Sequence, residues 1–401
     1  VQVQAGSEKE FDGFIKVFEA ANPGIKVKTT SVAQTAKTGT NLQVITSNNA
    51  PDVAIVPTNT QVYTELTAGK GLEDLSDVWT SSDLVKRYGD VLAGALKTDG
   101  KPYVVSYDST LYDIVYYNKD LFSSLGIPEP KNNRFDSIAQ LKSAVDTLKA
   151  AGKQGLGIGP ADNYQSSWMM DAFLPTSASP DDLNNYLSSW QLSTPVTAKY
   201  TDKGFVDAIT QIQDMGKAGV FQDGYLGQTV AQAEALWFQG EVGLMLDGSY
   251  SAQVFKDNGI SFNYGWALLP PVDSSRSSQI TVYNGNTLAI PVKAKNKDLA
   301  KKFLESVMSI DGQSTVTSIG SLPAVNDVPT EAYSSFLPPV LEQIADIKAN
   351  GSQPGWTSTV PGGLGQQLID PLLQELLNGN GTAKDVAQKV QDELDKIRSA
   401  K

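Results

Sequence analysis

The alternation at the head of the chain limits the fold more than any other feature. Val1-Gln-Val-Gln-Ala5 alternates like a strand, Gly6-Ser7 punctuates it, and Phe11, Phe14, Ile15 and Phe18 then recur at helical spacing. Asn22-Pro23-Gly24 stops that helix, and Ile25-Lys-Val27-Lys-Thr29 alternates again, which predicts a second strand. Strand, helix and strand in that order make a βαβ crossover, the unit from which parallel sheets are built.

Asp52-Val-Ala-Ile-Val56 lies between Pro51 and Pro57 as a short apolar run, the pattern of a strand covered on both faces. Ligands in open α/β sheets lie beyond the carboxyl ends of the strands. Thr58 and Asn59, after this run, and the turn from Gly6 to Lys9 therefore fall on the expected binding edge. Ile138, Leu141, Val145 and Leu148 share a helical face, as do Phe205, Ile209, Ile212 and Met215, and again Leu299, Phe303 and Val307. Strand-like pieces lie at Gly155–Ile158, Val242–Leu246 and Thr287–Ile290. Val386, Val390, Leu394 and Ile397 predict a closing amphipathic helix, and the stretch from 351 to 363 reads as an ordered loop.

At 401 residues the chain exceeds what one hydrophobic core serves, so two lobes are expected. A net charge of -12 argues against nucleic acid and anionic lipid as partners. The chain has no cysteine and no histidine, which removes Ser-His-Asp and Cys-His nucleophiles, His-Cys zinc sites and thiol redox chemistry. No run approaches the roughly 20 apolar residues of a membrane span. The start at Val1 without a methionine leads to the expectation of an exported precursor, with a signal peptide and a lipid-bearing N-terminus upstream.

Several stretches carry a resemblance. They are Phe11 to Val27, with Phe18-Glu-Ala-Ala-Asn-Pro-Gly-Ile-Lys-Val27, then Asn49-Ala-Pro-Asp-Val53, Gly100-Lys-Pro-Tyr103 and Tyr116-Tyr-Asn-Lys-Asp-Leu121. Phe238-Gln-Gly-Glu-Val-Gly-Leu-Met245, Asp247-Gly-Ser-Tyr250 and Lys297-Asp-Leu-Ala-Lys-Lys-Phe-Leu304 follow in register. Together they resemble the extracellular solute-binding proteins of ATP-driven (ABC) importers, in the sugar-binding, maltose-binding-protein-like branch. The resemblance implies a two-lobed α/β fold of the periplasmic-binding-protein type (type II), hinged and interleaved. Its crossings are expected near Tyr107–Thr110, Gln279–Tyr283 and Met308–Gln313. One lobe would hold 1–109 and 283–309, the other 110–282 and 310–401.

A sugar presents apolar C–H faces and a rim of hydroxyls, so its site needs aromatic plates beside carboxylates and amides. The resemblance puts Glu8 and Lys9 on the ligand, although charges at a helix start are equally explained by the helix itself. Thr58 and Asn59 match a polar position that a self-bonded turn would also explain. The resemblance puts Asp108, after Tyr107 at the first expected crossing, close to a family carboxylate that binds hydroxyls, a position that a solvated turn would also explain. Asp162-Asn-Tyr164 looks like the family's acidic-x-aromatic loop, and Trp168 shares a helical face with Tyr164, a spacing that core rings also show. Asp247 and Tyr250 belong to the Asp-Gly-Ser-Tyr motif, with Tyr250 where the family often has a stacking tryptophan. Asn284-Gly-Asn286 is small enough to let a ligand reach the backbone. Trp356 matches the family's last ring loosely. Trp79, Trp190, Trp237 and Trp266 read as packing, and Lys293, Lys295, Lys297, Lys301 and Lys302 as a solvated basic face.

The expected function is capture of an oligosaccharide in the cleft between lobes and its delivery to importer permease subunits, by a monomer without cofactor, metal or catalysis. Two alternatives stay open. One is a glycoside hydrolase using Asp108 and Asp162, since that chemistry needs carboxylates and no histidine. The other is a receptor for a polyamine or for iron held by Tyr116 and Tyr117.

Overall fold

The computed structural model describes the chain except residues 5–7, 34–39, 59, 189–194, 284, 319–320, 335, 356–364 and 400–401. The expectations placed on Asn59, Asn284, Trp190 and Trp356 lie outside the described residues, as does the Lys9 side chain. The chain divides into two compact units. The first gathers Val1–Thr110 and Tyr283–Phe336, and the second gathers Leu111–Val282 with the described chain after Leu337. Two unit boundaries fall inside strands, Asp108–Tyr112 and Ile280–Tyr283.

In the first unit, strand Gln2–Gln4 pairs in parallel with Thr30–Val32. Helix Glu8–Ala21 joins them and sinks Phe11, Phe14 and Phe18 into the core. The second strand therefore starts later than the alternation at 25–29 predicts. The reason is local: Ile25 N–H bonds back to Asn22 O, and Val27 N–H donates to the Glu19 carboxylate at 2.9 Å, so these residues close the turn onto the helix end. The run at Val53–Val56 is buried throughout, and within it Ala54–Ile55 is the strand proper. Thr287–Ala289 lies between Ala54–Ile55 and Val105–Ser106, antiparallel to both. Helix Lys297–Val307 covers this core, with Phe303 edge-on to Phe18 at 5.4 Å.

The stretch 310–336, expected in the second lobe, groups with the first unit instead. Helix Ile310–Ser318 lies so close to the first helix that a Cβ on Gly13 would meet Thr315 Cβ at 2.7 Å. Gln313 Nε2 donates to Tyr107 O at 3.0 Å and to Val307 O at 3.1 Å, while its Oε1 accepts from Ala324 N–H. One buried amide thus ties three segments of that unit. The basic run is less solvated than expected: Lys297 pairs with Glu73 at 2.7 Å, Lys301 with Asp77 at 2.5 Å, and Lys293 donates to Thr46 O.

The second unit centres on a sheet in the order Tyr264–Leu268, Ile114–Asn118, Val242–Asp247, Gln154–Gly157. Ile114–Asn118 is antiparallel to both neighbours, and Val242–Asp247 runs parallel to Gln154–Gly157. Tyr116 and Tyr117 are buried in this sheet, and their hydroxyls donate to Gly248 O and to the Glu129 carboxylate. Helices Ile138–Ala150, Lys203–Lys217 and Ala383–Ser399 bury the apolar faces read from their spacing. Trp237 and Trp266 are buried here, and Trp79 in the first unit. The expected loop after residue 351 contains a strand, Ser352–Pro354, parallel to Ile280–Val282. No helix among the described residues is long and apolar enough to cross a membrane.

Candidate functional site

Strand Val242–Asp247 ends on a carboxylate that is wholly buried. Asp247 Oδ1 accepts the Gly248 N–H at 2.9 Å and the Tyr250 hydroxyl at 2.5 Å. The next residue must be glycine, because a Cβ on Gly248 would collide with the Tyr250 ring and press on Leu111 O at 3.0 Å. Ser249 N–H donates to Leu111 O, Leu111 N–H donates to Ser249 Oγ, and the Tyr116 hydroxyl donates to Gly248 O at 2.9 Å. The turn carrying Tyr250 is therefore pinned beside Tyr112.

Tyr112 stacks on Trp168 with ring centroids 4.2 Å apart and planes 17° from parallel. Tyr164 lies 5.0 Å from Trp168, tilted by 52°. Trp168 is only 5 % exposed, whereas Tyr250 is 39 % exposed. Trp168 is thus the support of the cluster, and the half-buried Tyr112 and Tyr164 with the exposed Tyr250 are its outer rings. Of the two readings open for Trp168, a packing ring is the one its burial fits. Its helix, Gln165–Ser177, is anchored by Gln165, which accepts from Gly159 N–H and donates to Leu246 O, and by Asp370, which accepts from Ser167 N–H at 2.9 Å.

Helix Val230–Phe238 brings a second acid to the cluster. Thr229 and Gln232 form a reciprocal capping box at its start, and Asp162 accepts the Val230 N–H at 2.8 Å. One turn on stands Glu234, near enough to Asp247 for each carboxyl to act on the other. Burial first, then the charge of Asp247, pushes Glu234 up to about 7. Burial likewise pushes Asp247 up to about 6, against the bonds from Tyr250 and Gly248. The Tyr164 phenol is held well above its ordinary value by burial and by Asp247, Asp162 and Glu234. Two neighbouring carboxyls at a poorly hydrated place resist carrying two charges at once.

The structure brings Asp162, Tyr164, Trp168, Asp247 and Tyr250 together in the second unit, and adds Tyr112 and Glu234. Tyr112 was within reach of sequence reasoning, since it alternates with Thr110 just past the first expected crossing. Glu234 carries no motif, and only the capping box of Thr229 and Gln232, five and two residues earlier, marks its helix.

The first-unit candidates are placed separately. Glu8 opens helix Glu8–Ala21 on the surface, and Thr58 is buried after strand Ala54–Ile55. Asp108 is buried and accepts from Asn286 N–H and from Asn286 Nδ2 at 3.0 Å. Gly285, with φ +64°, is small in order to admit Asp108, which occupies the space a Cβ would need. Gly285 and Asn286 thus receive a carboxylate of the chain itself. Among the described residues, no group of three or more acids is arranged to hold a metal ion.

The profile of a family described as bacterial extracellular solute-binding protein matches residues 4–314. An ABC transporter extracellular-binding protein of Pyrococcus horikoshii is 24% identical over 348 residues, covering 85% of this chain and 74% of that protein. A solved chitin oligosaccharide binding protein superposes with a TM-score of 0.76 at 21% identity, covering 98% of this chain and 96% of its own. An ABC substrate-binding protein from Listeria monocytogenes, in complex with cycloalternan, does so at 0.70 and 19%, covering 100% and 98%.

Proposed function

The chain belongs to the bacterial extracellular solute-binding protein family, and from that premise we propose that it binds an oligosaccharide and hands it intact to the permease of an ABC importer. The observation that carries the reading is the cluster of Tyr112, Tyr164 and Tyr250 around the Asp247 and Glu234 carboxyls. Flat rings suit the C–H faces of pyranoses, and carboxyls suit their hydroxyls, which is the pairing a sugar needs. More than one outer ring favours more than one sugar unit. The solved relatives named for chitin oligosaccharide and cycloalternan bind ligands of this class and support the assignment.

A receptor reading also agrees with what the two suggested hydrolase acids do. Asp108 is bonded to Asn286, and Asp162 caps a helix, so each carboxylate already serves the fold. Sugars incubated with the protein are expected to be recovered unchanged by chromatography; release of shorter products would favour the hydrolase. Delivery requires that the receptor stay near its importer, and a lipid on the precursor's N-terminus would hold it there. Mass spectrometry of the protein from its native membrane fraction tests that tether. Pull-down with the permease, in the presence and absence of sugar, tests delivery.

A further inference from the structure

Tyr112 is the last residue of strand Asp108–Tyr112, and strand Ile114–Asn118 begins two residues on, so Asp113 alone joins them. The joint is clamped on both sides. Leu111 exchanges bonds with Ser249, and Ile114 stands opposite Asp247 in the sheet. Between these clamps Asp113 takes a left-handed backbone, φ +62°, a conformation that residues other than glycine adopt seldom and keep only where the surroundings hold them. What holds it is buried and polar. The Thr281 hydroxyl donates to Asp113 Oδ2, and Gln353 Nε2 donates to Thr281 Oγ1 at 3.0 Å and to Asp171 O at 2.8 Å. Thr281 and Gln353 stand side by side on paired strands, and both are buried together with Asp113.

We propose that Asp113 is a positioning residue for the sugar site: its locked, left-handed backbone turns the chain so that the Tyr112 ring lies flat on Trp168. The Asp113 side chain enters the polar core while its neighbour's enters the ring cluster, and the turn between them sets where the ring lies. The lock needs an acceptor for the Thr281 hydroxyl and a residue that tolerates positive φ, but it needs no charge. Burial first, then Asp171, holds the Asp113 carboxyl well above its ordinary range, which favours the neutral acid. Asparagine meets both needs, because it enters the left-handed region more readily than most residues and keeps a carbonyl oxygen. Alanine meets neither. The proposal takes its ligand from the carbohydrate reading, whereas the ring geometry it explains stands without that reading.

The test compares Asp113→Asn, Asp113→Ala and Thr281→Val with Tyr112→Ala in the intact chain, at a temperature where each is folded. Near-ultraviolet circular dichroism without sugar reads the Tyr112–Trp168 stack, and titration with maltotriose, cellotriose, raffinose and chitotriose reads its use. Asp113→Ala and Thr281→Val are expected to reproduce the dichroism change of Tyr112→Ala and to weaken the bound sugar about tenfold, the size of loss that one stacking ring gives. Asp113→Asn should keep the band and bind within about twofold of the unaltered protein. If Asp113→Ala does not fold, Thr281→Val, which removes the bond and nearly keeps the shape, decides in its place. Lower stability with band and affinity unchanged in the Ala and Val variants overturns the proposal, since Asp113 would then serve packing alone. Loss of both in Asp113→Asn overturns it as well. If the unaltered protein binds none of these sugars, the carbohydrate reading fails for them and the dichroism still decides the role of Asp113.

Discussion

Trp168 and Tyr112 show how the same ring chemistry divides into support and surface. Trp168 is buried beneath Tyr112, so Trp168→Ala opens a cavity and is expected to cost roughly 3 to 5 kcal/mol of stability, read from the urea midpoint. Tyr112→Ala should cost less stability and instead weaken sugar binding by on the order of 1 to 3 kcal/mol in calorimetry. The reverse order would mean that the cluster is built the other way round. Gly248→Ala forces the Tyr250 ring out of its place, and a loss of about 1 to 3 kcal/mol is expected in the same unfolding assay. Motif spacing drew attention to Asp247, Tyr250, Tyr164 and Trp168, but it could not distinguish a ring that faces outward from one that lies beneath another. It also could not see that Asp108 bonds Asn286, because those residues are far apart in sequence and meet only through the strand ends they occupy.

At the scale of elements, helix Val230–Phe238 is the piece that sets Glu234 against Asp247, and its start is held twice, by the Thr229–Gln232 box and by Asp162. Thr229→Ala is expected to cost about 1 kcal/mol of stability, the usual worth of an N-cap. Asp162→Ala should add to it and also lower sugar affinity, because a frayed first turn loosens Glu234. Hydrogen exchange of the amides from Val230 onward checks this, with faster exchange in both variants as the expected result and no change as the contradiction. Amphipathic helices such as Lys203–Lys217 were plain in the sequence because one face is apolar over several turns. Short strands were less so. The alternation at Ile25–Thr29 was real, but Glu19 and Asn22 claim its backbone for a turn, and pairing begins only at Thr30. Helix Ile310–Ser318 has only a weak apolar stripe, and what assigns it to the first unit is a close helix contact at Gly13 that no local pattern records.

Across the whole molecule the carboxyls give stability a pH dependence of definite sign. Asp247 and Asp370 are each pushed up to about 6 and Glu234 to about 7, chiefly by burial. In the unfolded chain such groups titrate near about 4, so between about pH 4 and 7 the folded state holds more protons. Their contribution is full below the unfolded values and is lost as pH rises through the folded ones. Asp52, Asp74 and Asp77 are shifted the other way by the bonds they accept, and their contribution is lost on acidification below about 4. The melting temperature is therefore expected to be higher at pH 5 than at pH 8, with the gap narrowed by Asp370→Asn. The chain has no histidine, and Asp113, raised by burial and then by the charge of Asp171, acts in the same direction as the buried carboxyls. A flat or inverted profile would contradict the burial assigned to them.

The central claim is that this family member is a carbohydrate receptor whose second unit supplies the rings and acids that hold the sugar. It is tested most directly by titrating the intact protein with a panel of di- and oligosaccharides while following tryptophan emission and sugar integrity together. The account predicts that at least one oligosaccharide changes the emission saturably at one per chain, that Tyr112→Ala weakens it, and that the sugar is recovered unaltered. Saturable binding of an amino acid, peptide or metal ion with no response to any sugar would contradict it.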